Sequence, residues 1–328
     1  MTHPFSDVLR SLVGDRLKEN ESMARHTNFR VGGPARWYTD VRSCEELTTL
    51  FAAAQAHRVP VTVLGGGSNT LVADEGIPGL VLQMALRGLT FNDQHVVAEA
   101  GVLSVGLARQ TSDAGRSGLT WMISLPGTVG GAVRGNAGCF GGETADFLTE
   151  VEVWSNGSFQ TISKREALFG YRTSRFKTTN EVILSATFQL PRGDKEQMQQ
   201  EMMQMLAKRK TSQPLYAGSA GCIFQNISFH SETEVQRLSE VCDIPVEMQH
   251  AHRISAGWVI DQLGLKGTRI GNAQISPEHG NFIINLGGAT ATDILSLIAL
   301  VKTNTLDRFG LLLHEEVALL PSPLSSSV

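Results

Sequence analysis

Three places in the chain carry side chains whose types and spacing could do chemistry. Tyr171-Arg172-Thr173-Ser174-Arg175 sets two arginines in a polar loop between strand-like runs. Such a pair is either solvated surface or, through Arg172, a two-pronged grip on a carboxylate. Gly218-Ser219-Ala220-Gly221-Cys222-Ile223-Phe224 presents one thiol on a turn of small residues. That thiol is either an inert small filler or, exposed beside glycine, a proton donor or nucleophile. Glu315-Glu316 lies in an otherwise apolar run near the C-terminus. Strand alternation sends its two carboxylates to opposite faces. An inward one is costly unless paired or used; the alternative is a charge at a strand end.

Chemistry of this kind needs a frame, and glycine marks where the frame is tight. Ser124 to Glu143 holds Gly127, Gly130, Gly131, Gly135, Gly138, Gly141 and Gly142, and a second run reads Gly65-Gly66-Gly67-Ser68-Asn69. Such density is kept where φ must be positive or where backbone lies close to something. Leu125 to Val133 has no acidic residue and offers many N–H groups, so it reads either as a tight turn or as a concavity suited to phosphate oxygens. It is not a Rossmann fingerprint, because Thr70 stands where the third glycine would fall, and no P-loop motif occurs.

Composition narrows the class. The chain has 328 residues, 41% hydrophobic and 18% charged, with a net charge of -4. That is a length for two domains, or three small ones, with no basic surface for nucleic acid. Cys44, Cys139, Cys222 and Cys242 are scattered without metal spacing, as suits a reducing compartment. No metal is expected. Neither a signal core nor an 18-residue apolar run appears, so a cytoplasmic protein without a membrane partner is expected.

The periodicity predicts a helix over 6–20, a strand over 35–41, and a helix begun by Ser43 and Glu46 as an S-x-x-E capping box. A strand at 61–64 runs straight into the first glycine loop, giving a βαβ start. Strands follow at 80–82, 95–100, 150–154, 159–162 and 182–190, with a helix over 104–114. This pattern indicates α+β. Residues 191–195 read as a boundary, followed by a helix burying Met198, Met202, Met205 and Leu206. Beyond it, Ser255 caps a helix to Leu263, Ile283-Ile284 is strand, Thr292 caps a helix over 293–309, and 311–320 is a last strand. The serine-rich tail 321–328 is expected to fray.

In combination the motifs resemble the UDP-N-acetylenolpyruvoylglucosamine reductase family. TNFRVGGPA, LGGGSN, SLPGTVGGAVRGNAG, YRTSRFK, QPLYAGSAGCIF, AGWVIDQLGLKGTRIGNAQIS, HGNFIINLGGATATD and HEEV occur in family order across residues 22–320. The resemblance implies an α+β protein with a two-lobed FAD-binding region of the vanillyl-alcohol-oxidase type over 1–205, its lobes about 1–85 and 86–205. A C-terminal substrate-binding domain over 206–320 follows. It implies non-covalent FAD, NADPH as co-substrate, a UDP-sugar substrate and a monomer.

The resemblance also assigns residues. Leu64, Gly65, Gly66, Gly67, Ser68 and Asn69, with Pro126, Gly127, Thr128, Gly130, Gly131 and Ala132, would hold the cofactor. Arg172 and Glu316 match residues that stabilise charge on the substrate carboxylate, and Cys222 matches the general acid. Tyr171, Asn136, Asn226 and His279 fall at substrate-contact positions, while the family's substrate lysine stays open between Lys208 and Lys210. The commonest acid at the Cys222 turn is serine. A thiol near pKa ~8.5 is mostly protonated at neutral pH and can serve instead, with an oxidation liability that serine lacks. The short stretch from Tyr171 to Leu190 resembles the type II branch. The rival implied by the same fold is a flavin oxidase or dehydrogenase acting on an alcohol.

Overall fold

The computed structural model describes residues 3–93, 95–229, 231–239 and 242–321. The expected βαβ start is present as strand Pro34–Val41, helix Cys44–Ala56 and strand Val61–Leu64. Both strands run parallel to Ile77–Met84, which lies between them, and Lys18–Ser22 adds an antiparallel edge beside Pro34–Val41. Ser43 accepts from the Glu46 N–H at 3.2 Å. The Glu46 carboxylate completes no box with Ser43 and instead accepts from the Arg42 N–H at 2.8 Å. The first helix is Pro4–Val13, shorter than 6–20, because Gly14 at φ +59 turns the chain toward the Lys18–Ser22 strand.

A second lobe is built on five antiparallel strands in the order Ser158–Ser163, Leu148–Ser155, Val182–Gln189, His95–Glu99, Leu89–Phe91. Its buried core includes Val96, Leu107, Trp121, Val151, Phe176 and Phe188. Helix Lys195–Ser212, capped by Asp194, is continuous through position 205, and Met202 packs into this core. A cut at 205 therefore falls inside a helix that belongs to the second lobe.

In the C-terminal part, Arg269–Ile270, Ala273–Ile275 and Ile283–Asn285 form a three-stranded antiparallel sheet. Helices Ala256–Gln262 and Ala291–Phe309 pack with it. Ser255 caps the first of these as expected. The second is capped by Thr290, not Thr292, in a reciprocal box with Asp293. Thr292 instead donates its hydroxyl at 2.7 Å to Asp74, a residue of the first lobe. Asp74 also accepts from the N–H groups of Ala291 and Thr292 at 2.7 and 2.9 Å, so a remote carboxylate closes the helix N-terminus.

The last strand is only Ala318–Leu320, and it pairs in parallel with Thr70–Val72 of the first lobe. The buried core here also mixes Phe29, Val31 and Leu71 with Ile275, Ile294 and Leu297. The C-terminal part thus shares its interior with the N-terminal lobe. Residues 322–328 of the expected frayed tail lie outside the described residues.

Candidate active site

The two glycine loops touch. A Cβ on Gly66 would lie 2.8 Å from the Gly127 Cα, and one on Gly127, at φ +102, would lie 2.5 Å from Ser68 Oγ. Contact this close requires glycine. The first half of the Ser124–Glu143 stretch is more than a turn, for Val129–Gly135 is a short helix entered through Thr128. Among the described residues, the N–H groups of Gly66, Gly67, Ser68, Asn69, Thr128 and Gly131 have no backbone or side-chain acceptor. Thr128 Oγ1 is buried without a partner, 2.8 Å from where a Gly65 Cβ would stand. An orphaned hydroxyl and unclaimed N–H groups on two glycine-lined loops fit the pyrophosphate of a dinucleotide.

The second half folds as a small hairpin, Gly138–Cys139 against Gly142–Glu143, backed by Trp121 under Gly142. Its Gly138 carbonyl accepts from Arg172 Nη2 at 2.5 Å. Arg172 occupies a two-residue turn closed by the Gly170–Thr173 pair, and its own φ is +55. A non-glycine residue in that conformation is held there by its surroundings. Asn136 Nδ2 donates to the Gly170 carbonyl at 2.9 Å, and Lys177 Nζ donates to the Arg172 carbonyl at 2.6 Å.

Arg172 Nε lies 2.9 Å from Glu316 Oε1 across the two halves of the chain. The two charges form an ion pair, both side chains being largely buried. Burial raises the Glu316 carboxyl above its ordinary range, with Arg172 and Lys177 pulling it down. The neighbouring Glu315 turns the other way and meets Lys302 at 2.7 Å. The two carboxylates part as expected, one paired outside and one inside, although neither lies in the last strand.

Glu316 is fixed through its backbone. Its N–H donates to the Ile223 carbonyl at 2.7 Å, and its carbonyl accepts from Asn69 Nδ2 at 2.9 Å. Asn69 therefore belongs at once to the glycine loop and to the strap carrying the carboxylate. Cys222 is one residue before Ile223, bridged to Phe282. Burial and the Glu316 charge push its thiol up to about 12, against Arg172 and Arg209, which pull the other way. A thiol so shifted carries little thiolate, which reduces the oxidation liability expected from the sequence.

The remaining expected contacts divide. Tyr171 Oη accepts from the Asn226 N–H at 3.3 Å, with the Arg253 guanidinium 4.3 Å from its ring. Asn226 Oδ1 accepts from the Ala256 N–H at 3.1 Å, so both residues join the turn to the C-terminal part. His279 packs its ring on Phe282, the partner of Cys222, and burial lowers its pKa, leaving it neutral. Asn136 is a correction. It is 0% exposed and its amide is occupied at both ends, by the Gly170 carbonyl and the Ala145 N–H. It supports the turn from behind rather than facing a ligand.

Three residues escaped the sequence reading. Asn281 clamps the thiol segment, accepting from the Phe224 N–H at 2.9 Å and donating to its carbonyl at 2.8 Å. Arg209, between the two lysines considered, adds its charge to those of Glu316 and Arg172 on Cys222, while Lys208 lies over the Phe140 ring. Lys177, the last residue of YRTSRFK, supports Arg172. Only the motif's length hinted at Lys177; nothing local marked the other two.

Two family models match the chain. UDP-N-acetylenolpyruvoylglucosamine reductase, C-terminal domain, spans residues 213–320, and an FAD binding domain spans 36–162. The UDP-N-acetylenolpyruvoylglucosamine reductase of Synechococcus sp. (strain JA-3-3Ab) is 39% identical over 323 residues, 97% of this chain and 96% of its own length. The one from Chlamydia muridarum is 39% identical over 307 residues, covering 93% and 95%. A solved structure, UDP-N-acetylenolpyruvylglucosamine reductase from Thermus caldophilus, aligns at TM-score 0.74 and 36% identity over 93% of this chain and 100% of that one.

Proposed function

Because the chain belongs to the UDP-N-acetylenolpyruvoylglucosamine reductase family, we infer that it reduces the enolpyruvyl ether of UDP-N-acetylglucosamine-enolpyruvate to UDP-N-acetylmuramate, a peptidoglycan precursor. FAD, bound without a covalent link, supplies the hydride chemistry between NADPH and the methylene carbon of the enolpyruvyl group. The two touching glycine loops, with their unclaimed N–H groups, are the residues that would hold its pyrophosphate. The observation that carries the reading is the meeting of Arg172, Glu316 and Cys222, from three distant parts of the chain, beside those loops.

Each of the three has a task that its surroundings support. Arg172, locked in its turn and paired with Glu316, binds the substrate carboxylate and faces the negative charge that builds on it. Glu316, its carboxyl raised by burial, shares that load from the other side as the neutral acid, whose O–H can face the charge. Cys222 is protonated throughout the neutral range and gives its proton to the carbon beside the carboxylate. Hydride at one carbon and proton at the other complete the reduction. Tyr171, Asn226 and His279 line the same region and are read as substrate contacts.

We place the division of the chain after Ser212, where the helix packed on the second lobe ends. Residues up to that point form an FAD-binding region of the vanillyl-alcohol-oxidase type. Lys177 is followed within a few residues by strand Val182–Gln189, which leaves no room for a long substrate-covering loop and supports the type II branch. Among the described residues no helix is long and apolar enough to cross a membrane. The reading is of a monomer working in the cytosol, without nucleic-acid or membrane partners.

The test is NADPH oxidation by the flavin-loaded protein. Oxidation should depend on the enolpyruvyl UDP-sugar and yield UDP-N-acetylmuramate in equal amount. Steady NADPH oxidation indifferent to that sugar would overturn the reading.

A further inference from the structure

Arg172 is a charged residue in a left-handed turn, a conformation it does not adopt unaided. Three contacts restrain the turn from outside. Asn136 takes the Gly170 carbonyl, the Asn226 N–H takes the Tyr171 hydroxyl, and Lys177 takes the Arg172 carbonyl at 2.6 Å. Of these three only the last carries a charge and reaches the Arg172 main chain; the Arg172 side chain is held besides by the Gly138 carbonyl and Glu316. Lys177 ends a short 3-10 turn, Arg175–Lys177, anchored by Phe176 at 1% exposure in the second-lobe core. The ammonium is thus delivered to the Arg172 carbonyl by a rigid base.

The same ammonium acts on a second group. Glu316 is pulled toward its charged form by Arg172 first and then by Lys177. Lys177 in turn is lowered by burial and by Arg134 and Arg172, with Glu316 raising it. Cys222, also beside Glu316, completes the set of titratable neighbours, with Arg209 behind it. No other lysine has both a backbone contact to Arg172 and an electrostatic hold on Glu316 among the described residues.

We propose that Lys177 is a positioning residue of the reduction: its ammonium pins the Tyr171–Arg172 turn by the Arg172 carbonyl and sets a second positive charge beside Glu316. This rests on Glu316 and Arg172 being the pair that meets the substrate carboxylate. Lys177 donates one of its protons to a main-chain oxygen and touches no reacting atom. Losing it frees the turn and removes a cation from Glu316, so the carboxyl of Glu316 should hold its proton to higher pH.

The experiment uses the flavin-loaded holoenzyme in rapid mixing across the pH range. Flavin reduction by NADPH is followed separately from flavin reoxidation by the enolpyruvyl sugar. Lys177→Met, Lys177→Arg and Glu316→Gln are compared with the parent. In K177M, reoxidation is expected to slow by about tenfold or more, with flavin content and reduction by NADPH within about twofold. The pH limb that E316Q abolishes is expected to move up by about one unit in K177M and to return in K177R. An unchanged rate and limb in K177M beside a crippled E316Q overturns the proposal alone. Loss of flavin and of both half-reactions in equal measure makes Lys177 a folding residue and overturns it too. Undiminished reoxidation in E316Q overturns the reading of Glu316 and the proposal with it.

Discussion

Among the individual side chains, the thiol at Cys222 has the most to explain. A side chain that is to give up a proton must hold it at working pH, and burial beside Glu316 does so by pushing the thiol up to about 12. The proton-giving form is present below that value and is lost as pH rises through it. Substrate-dependent flavin reoxidation should therefore show no thiol limb across the neutral and mildly alkaline range, and Cys222→Ser should give the same profile. A limb near pH ~8.5 that Cys222→Ser removes would show that the thiol is unshifted. Cys222→Ala should keep flavin reduction by NADPH and slow reoxidation by roughly 10²–10⁴-fold, a general acid's contribution. Reoxidation at the parent rate in single turnover would remove Cys222 from the mechanism. The residue types at 172, 222 and 316 were legible because arginine, cysteine and an inward glutamate are out of place in their local runs. Asn281 and Lys177 were not, because an asparagine in a glycine-rich turn and a lysine after phenylalanine are ordinary, and their partners are remote in sequence.

Among the elements, local signals did well where the partner was local and failed where it was not. Ser43 and Ser255 cap the helices they precede, as their spacing requires. Thr292 looked like a cap for the same reasons, but Thr290 does that work and Thr292 is turned to Asp74. Burial alone would raise the Asp74 carboxyl, yet the Thr292 hydroxyl and the N–H groups of Ala291 and Thr292 outweigh it and hold it below the usual range. A carboxyl depressed in the folded state stabilises above its unfolded pKa of ~3.9, and that contribution is lost as pH falls through the folded value. Asp74→Ala is expected to cost ~1–2 kcal/mol at neutral pH, as loss of a cap and of a charge at a helix N-terminus. Denaturant titrations should show the gap to the parent narrowing toward pH ~3. A gap that stays constant with pH would mean that the carboxylate charge contributes nothing.

For the molecule as a whole, the fold class and the order of elements could be read from periodicity, since helices and strands announce themselves over a few residues. The sharing of interiors could not. Phe29, Val31 and Leu71 sit in one core with Ile275, Ile294 and Leu297, and Ala318–Leu320 is zipped to Thr70–Val72. Apolar residues of this kind are equally at home in either part, and nothing in their sequence says whose neighbours they become. A common interior predicts common unfolding. Calorimetry of the flavin-free protein should give one transition for the first lobe and the C-terminal part together, and two resolved transitions would show that they melt apart.

The clamp between Asn69 and the Glu316 carbonyl, with the Ala318 N–H returning to the Asn69 carbonyl at 3.0 Å, also sets an order in time. Chains are made from the N-terminus, and domains fold as they emerge. The glycine loops and Arg172 are made before the carboxylate that faces Arg172, which comes on a strap seated both on the first-made loop and on the Ile223 carbonyl. A nascent chain holds the residues of its nucleotide cradle long before it holds those that meet the substrate. Catalytic competence thus waits on a carboxylate made well after the cradle it works beside.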